Sequence, residues 1–230
     1  MSRSILPALL AVALAVPGVA GEDPTITRVE EDWVVFIRNP DADAGAPQIT
    51  NILAPTPSLE ATFGLIELNH RSAPNFAGGG YQVQSWVGET LSQYRESVEN
   101  ASFRNQYDRL TYTVTMETTA DSYVFGIKDG KSRSWGRFAT TELTSSAPAE
   151  SLSLAEYDPQ FSVDSTSINV GAHRVELMYQ RTVRYYAGDT LVREDDTPRI
   201  IHRFQEVVQF VSLDEYENNT EYFNISIADQ

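Results

Sequence analysis

The chain has 230 residues, with 17 Lys and Arg against 32 Asp and Glu, and a formal net charge of −15 at pH 7. It contains no cysteine, which excludes a disulfide framework, a thiol nucleophile and a cysteine-ligated zinc or iron–sulfur site. A strongly acidic chain repels phosphate backbones, so binding to nucleic acid or to an anionic membrane surface is disfavoured.

Residues 1–20 have the pattern of a signal peptide. Arg3 supplies a positive start, residues 5–16 are almost wholly apolar, and the small residues Gly18 and Ala20 precede a cleavage point at Gly21. The apolar run is shorter than the ~20 residues that a membrane-spanning helix needs. We therefore expect a mature protein that is secreted, or held in the periplasm or cell envelope, and that is not inserted in a membrane.

Residues 21–230 are predicted to form a single domain, in which 214–230 is an acidic tail that frays. Short runs of β-branched and aromatic residues alternate apolar with polar positions, and Gly, Pro, Asn and Asp separate them. This pattern predicts an all-β, two-sheet antiparallel jelly-roll sandwich of about ten to twelve strands, with at most one or two short helices. The predicted strands are Val29–Arg38, Gln48–Leu53, Ala61–His70, Tyr81–Val87, Leu110–Glu117, Tyr123–Ile127, Arg174–Tyr186, Thr190–Arg193 and Ile200–Leu213.

Three segments have less regular patterns. Leu91, Tyr94 and Val98 have a spacing that a short surface helix would use, although an irregular edge strand over 89–103 is the alternative. The last predicted strand also fits a helical period, but its β-branched content favours a strand. Residues 144–153 are rich in Ser, Ala and Pro and are predicted to form a loop.

The sequence lacks the common catalytic motifs. It has no GxSxG, HExxH or GxGxxG pattern, so hydrolase, zincin and dinucleotide-binding sites have no local support. Residues 126–132 look like a phosphate loop, but only three residues separate the two glycines where the motif has four, and a hairpin end is expected there. His70, His173 and His202 lie at predicted strand ends or in loops, where a structural role is the commoner one.

Glu67 is the one catalytic candidate. It follows Phe63 and Leu65 on one face of a predicted central strand, and many jelly-roll enzymes cleave polysaccharides with carboxyl groups. The alternative is that an arginine, such as Arg174 or Arg181, neutralises this carboxylate.

Asp41 and Asp43 form the one candidate metal site. They offer oxygen ligands at alternate positions before Gly45, which is a fragment of the pattern that calcium loops use. The alternative is a solvated acidic loop. Calcium is therefore left open, and no other cofactor is expected.

Residues 128–138 combine cations with an indole. Both lysines of the chain, Lys128 and Lys131, fall here together with arginines and Trp135. Cations beside an exposed indole bind acidic sugars, because the cation pairs with carboxylate or sulfate while the ring stacks on the sugar face. The alternative is structural, with the indole under a sheet edge and the cations paired with surrounding acids. The predicted ligand-binding residues are Trp135, Arg133, Lys131, Arg137, Trp86 and Tyr81.

Five segments form a collective pattern: 30–33 (EEDW), 66–70 (IELNH), 79–86 (GGYQVQSW), 134–138 (SWGRF) and 196–202 (DTPRIIH). Together they resemble a family of uncharacterised exported bacterial proteins, over nearly the whole mature chain to His202. The resemblance implies a fold similar to the concanavalin A-like lectin and glucanase sandwiches. It implies no activity, cofactor or catalytic residue.

These observations favour an exported, non-catalytic β-sandwich that binds a glycan or another cell-surface component. The competing hypothesis is a polysaccharide lyase or glycoside hydrolase of the jelly-roll type, which needs an acid/base set in one groove. A third hypothesis is a structural component of the cell envelope. The sequence assigns no oligomeric state.

Overall fold

The structure is a computed structural model that describes residues 24–37, 49–69, 80–97, 108–133, 136–168 and 175–203. Within these ranges the chain forms thirteen strands and one helix, and the strands make two antiparallel sheets. The predicted all-β sandwich is confirmed, while the predicted signal peptide and acidic tail lie outside the described residues. The elements are β1 (Arg28–Ile37), β2 (Ile49–Leu53), β3 (Thr62–Asn69), β4 (Gly80–Val87), β5 (Thr90–Glu96), β6 (Asp108–Thr118), β7 (Ser122–Ser132), β8 (Gly136–Phe138), β9 (Leu143–Pro148), α1 (Pro159–Ser165), β10 (Ser167–Ile168), β11 (Val175–Ala187), β12 (Thr190–Asp195) and β13 (Arg199–Arg203).

The two sheets are called the large sheet and the small sheet. The large sheet has the strand order β12-β11-β1-β6-β7-β8, with β13 paired to β11 and β9 paired to β7. Its strands β6, β7 and β11 confirm the strands predicted over Leu110–Glu117, Tyr123–Ile127 and Arg174–Tyr186. The small sheet has the order β10-β2-β3-β4-β5. Its central strand is β3, as the apolar residues on both faces of that strand predicted.

The hydrophobic core lies between the sheets. Side chains alternate across a strand, so Trp33 and Val35 of β1 point inward with Leu68 of β3 opposite them in the core cluster. Gly64 of β3 lies against the ring of Phe125 of β7, because a Cβ at position 64 would be 2.3 Å from that ring. A glycine at this position lets the sheets approach closely.

Two segments form strands that the sequence analysis assigned differently. The loop predicted over 144–153 is wrong, because β9 pairs with β7 from Leu143 to Pro148. Residues 90–96 form not a helix but the strand β5, at the edge of the small sheet, which was the alternative considered. All but one of the β5 residues are exposed, so no period-two burial distinguishes this strand in the sequence.

Side chains from the small sheet hold β9 along one edge of the sandwich. Ser85 of β4 donates from Oγ to the carbonyl oxygen of Ser146 at 2.7 Å, and this hydroxyl is 2.9 Å from Ser145 Oγ. Gln93 of β5 accepts the backbone N–H of Ser146 through its Oε1 at 3.0 Å. These four residues are called the serine seam, and they join the two sheets without apolar packing.

The segment with phosphate-loop-like spacing lies within β7. A register shift opposite Thr111 and Thr113, with Asp129 at φ 54°, marks a β-bulge. A Cβ at Gly130 would be 2.4 Å from the ring of Phe138, so this glycine is required for packing. The strand continues to Ser132 before it turns into β8, which is further than the sequence predicted.

Helix α1 begins at a conventional cap. The side chain of Asp158 accepts the backbone N–H of Gln160 at 2.8 Å, and Pro159 occupies the first turn, where its missing N–H costs nothing. At the other end, Thr166 Oγ1 donates to the carbonyl of Ser162 at 2.8 Å. The helix packs against β2 and β13, and it buries Ser162.

Candidate functional site

Four cations gather at one end of the outer face of the large sheet. Lys131 and Arg137 are directly opposite each other in the β7–β8 ladder, and both are exposed. The backbone N–H of Arg133 donates to the carbonyl of Arg109 at 3.1 Å, which brings these two residues side by side. The Arg109 guanidinium lies 5.7 Å from the centre of the Phe36 ring. Arg109, Lys131, Arg133 and Arg137 are called the cationic patch.

Two members of the patch carry uncompensated charge. Among the described residues, neither Lys131 nor Arg137 forms an ion pair. Like charges placed directly opposite across a ladder repel each other. In a chain with 32 acidic residues this absence contrasts with Lys128, whose Nζ lies 2.6 Å from Glu30 Oε1.

The predicted ligand-binding set is therefore divided. Lys131, Arg133 and Arg137 are close together, whereas Trp135 lies outside the described residues. Tyr81 is only 2% exposed and packs in the core, where its ring centre is 5.7 Å from that of Phe138. A surface ligand does not reach it there, so its assignment to the ligand-binding set is corrected to a core role.

The sequence analysis missed Arg109. Its place in the patch follows from the register of the β6–β7 hairpin, in which Thr111 is opposite Lys131. The sequence predicts strands that stop at Leu110 and Ile127. To find which residues pair beyond these ends, one would need to know that a β-bulge shifts the register there. That bulge depends on Gly130 and Phe138, which are packed together only in the folded chain.

Glu67 lies on the outer face of the small sheet among amides. The Nε2 groups of Gln82 and Gln84 both donate to its Oε2, from Gln84 at 3.0 Å. Trp86 Nε1 in turn donates to Gln84 Oε1 at 2.8 Å. Burial raises the pKa of Glu67, and the two amide hydrogen bonds oppose that shift. Glu67, Gln82, Gln84 and Trp86 are called the amide cluster.

The described partners of Glu67 are thus glutamines, where an arginine was expected. Arg181, one of the two predicted partners, lies on β11 in the large sheet. Arg174, the other, lies outside the described residues.

Trp86 is half-buried, and an aromatic neighbour holds it. Phe63 is opposite Trp86 in the β3–β4 ladder, and the two rings are nearly parallel, with centres 6.3 Å apart. Tyr94 of the neighbouring strand β5 lies opposite Gln84 on the same face, and it is 43% exposed. These side chains give the outer face of the small sheet an aromatic surface beside the amide cluster.

A fully buried carboxyl group lies inside the sandwich. Glu31 is 0% exposed, and Trp33 Nε1 donates to it at 2.8 Å. The Tyr157 hydroxyl also donates to Glu31. Burial raises the pKa of Glu31, while these hydrogen bonds oppose the shift. Since Glu31 is not exposed, its role is to fix the segment around α1 to β1.

The residues on either side of Glu31 face outward, as strand alternation predicted, into an ionic network. Arg184 binds Asp32 with both Nη atoms at 2.7 Å, and Lys128 Nζ lies 2.6 Å from Glu30. The hydrogen bond with Asp32 raises the pKa of Arg184 above its usual range. Arg28 is the last member, with its Nε 3.4 Å from Glu30. In this network the charges are paired within the face.

The side chains of the candidate metal site and of the histidines lie outside the described part of the chain. Asp41, Asp43, His70 and His173 lie in segments that the structure does not describe, and so does the side chain of His202. In the described ranges, no group of three or more His, Asp or Glu residues is arranged to hold a metal ion. The calcium site stays a prediction.

Two comparisons with known proteins found no match. No protein-family model matches the chain, and no curated protein matches it. The family resemblance of the sequence therefore stays a prediction. No helix within the described part of the chain is long and apolar enough to cross a membrane.

Proposed function

We propose that the protein is an exported, non-catalytic β-sandwich that binds an anionic glycan, or another anionic cell-surface component, on the cationic patch. The observation that carries this proposal is the direct opposition of Lys131 and Arg137, both exposed and without a described acidic partner. A carboxylate or sulfate placed between the two cations would remove their repulsion and form charge-assisted hydrogen bonds.

The composition of the patch supports a sugar as the ligand. Arg137 offers a planar fork of donors that matches a carboxylate or sulfate, and Lys131 adds a point charge beside it. The sequence places Trp135 in the connection between β7 and β8, where its ring would stack on a sugar face. This part of the proposal stays a prediction from the sequence.

Binding is favoured over cleavage by the chemistry of the patch. Hydrolysis of a glycosidic bond uses two carboxyl groups about 5–10 Å apart. The four side chains that form the patch are all cationic, and the catalytic candidate Glu67 lies on the small sheet. Among the described residues, the patch therefore contributes no pair of carboxyl groups that could act as acid and base on a bound ligand.

The test is a glycan array followed by calorimetry with the mature protein. We expect binding to uronate-containing or sulfated oligosaccharides that weakens as salt is added, because exposed charges are screened. The double variant Lys131→Ala/Arg137→Ala should bind at least about tenfold more weakly, since it loses two charge-assisted contacts. Arg95→Ala is the control, because Arg95 is exposed on β5 of the other sheet.

Two results would overturn the proposal. One is the absence of binding to any anionic glycan, and the other is unchanged binding by the double variant. Trp135→Ala separately tests the predicted stacking. Incubation of the protein with acidic polysaccharides tests the enzyme hypothesis, because a rise in ultraviolet absorbance from unsaturated products would show a lyase.

A further inference from the structure

The outer face of the small sheet carries acids where the large sheet carries the cationic patch. Glu67 of β3, Gln82 of β4 and Glu96 of β5 are in one cross-strand row, because Gln82 is opposite Glu67 on one side and Glu96 on the other. Side chains of such a row lie on the same face of a sheet. Two carboxyl groups therefore flank one amide.

Three donors of the amide cluster are directed to partners within the protein. One N–H of Gln82 Nε2 and one of Gln84 Nε2 bind the same oxygen of Glu67, and the Trp86 indole N–H binds Gln84 Oε1. The Glu67 carboxylate is thus held by neutral amides, and no described cation compensates its charge.

An acceptor, in contrast, is left over. Gln82 is only 2% exposed, and its Oε1 is buried without a hydrogen-bond partner. A buried acceptor without a donor is costly and therefore uncommon in folded proteins. Because this carbonyl is as buried as the Tyr81 side chain, a surface ligand does not reach it, and the carboxyl groups at the ends of the row are the groups available for binding. Glu96, at the other end of the row, is exposed.

The register places no lysine or arginine on this face among the described residues. Its members are Thr50, Ile52, Phe63, Leu65, Glu67, Gln82, Gln84, Trp86, Leu91, Tyr94, Glu96 and Ser167. The face therefore combines two carboxyl groups with an aromatic surface. This set fits a ligand that donates hydrogen bonds, carries positive charge and offers flat apolar rings.

We propose that the outer face of the small sheet is a second binding surface, for a polysaccharide with free amino groups. The ammonium groups bind Glu67 and Glu96, and the sugar rings stack on Trp86 and Tyr94. This surface is separate from the cationic patch, because the outer faces of the two sheets point away from each other. The strongly acidic chain also attracts such a polycation over a longer range.

The experiment measures binding of the full chain to glucosamine oligosaccharides with free amino groups by calorimetry. The matched probe is the same oligosaccharide with every amino group acetylated, which keeps the rings and removes the charge. We expect the acetylated probe to bind at least about tenfold more weakly, because charge-assisted hydrogen bonds are lost. Trp86→Ala should weaken both probes.

Three variants separate this site from diffuse attraction. Glu67→Gln keeps the size of the side chain, and Glu96→Gln changes an exposed residue that the fold does not need. Each should weaken binding of the amino oligosaccharide, by about fivefold or more. Glu194→Gln removes the same charge from the exposed face of β12 and should leave binding unchanged.

The proposal is overturned if the acetylated probe binds equally well, if neither probe binds, or if Glu194→Gln weakens binding as much as Glu96→Gln does. The double variant Lys131→Ala/Arg137→Ala should bind the amino oligosaccharide normally. Loss of that binding in the double variant would also overturn a separate second surface. Failure of either surface leaves the test of the other intact, because the probes carry opposite charges.

Discussion

Polar side chains on the outer faces of the two sheets have different kinds of partner. On the large sheet, Arg184, Asp32, Lys128 and Glu30 pair with one another at 2.6–2.7 Å, so these four charges are compensated within the face. On the small sheet, the amides of Gln82 and Gln84 bind Glu67, and no described cation pairs with it. Charge is balanced by charge in the first arrangement, whereas neutral groups hold a lone carboxylate in the second.

The same distinction separates two ends of the large sheet. Lys128 and Lys131 are three residues apart in β7, yet Lys128 has an acidic partner within the sheet and Lys131 has Arg137 opposite it. Cations from one short segment therefore have different electrostatic surroundings. Pairing in the folded protein, rather than residue type, distinguishes them.

The largest effect is expected from breaking the ionic network. Arg184→Ala removes the bidentate partner of Asp32 and should lower the free energy of unfolding by about 1–2 kcal/mol. This value is reduced from that of a buried pair because the Arg184 side chain is partly exposed. Urea denaturation measures it. Arg137→Ala, at an exposed position of the same sheet without an ion pair to a described residue, should have a smaller effect, and an equal effect would contradict the assigned network.

A second prediction compares neighbouring acids of β1. Burial raises the pKa of Glu31, so its contribution to stability is present below pH 4.5, the ordinary value, and is lost as pH rises through the raised pKa. The Glu31→Gln variant has no such loss. Its free energy of unfolding relative to wild type should therefore rise with pH, by about 1.4 kcal/mol for each unit by which the pKa of Glu31 is raised. The measurement is the free energy of unfolding from pH 4 to 8, as the difference between variant and wild type.

Glu30→Gln is the control for that comparison. Glu30 faces the ionic network, so removing its charge should lower stability at neutral pH. If both variants respond to pH in the same way, the distinction between a paired outer face and a buried interior does not hold.

The smallest effect on stability is expected at Gln82. Gln82→Met keeps the shape of the side chain but removes the unpaired acceptor together with the donor to Glu67, so the free energy of unfolding should change by less than about 0.5 kcal/mol. Binding of the amino oligosaccharide should nevertheless weaken. A large loss of stability would show that Gln82 has a structural role instead.

Much of the fold could be predicted from side-chain alternation. The β6–β7 hairpin has one strictly apolar face, and β3 is apolar on both, so their positions in the sheets followed from the sequence. Strand β9 was not predicted, because its small polar side chains lie against the edge of a sheet and not in the hydrophobic core. The β5 strand was ambiguous for a related reason, since exposure on both faces removes the alternation.

The candidate surfaces were only partly predictable. Lys131 and Arg137 are only six positions apart in the sequence, so the pairing of two adjacent strands is enough to bring them together. Arg109 joins them through the register after a β-bulge, and Gln82 and Gln84 meet Glu67 through the pairing of β3 with β4. Such lateral contacts depend on strand order and register, which a single sequence does not specify.

The serine seam has a consequence for aggregation. An open strand edge exposes backbone groups to which another chain can add a strand. At Ser146 of β9, the backbone N–H is bound by the Gln93 side chain and the carbonyl accepts the Ser85 hydroxyl. Side chains of the small sheet thus imitate the missing neighbour strand, and a foreign strand finds this stretch of edge already occupied.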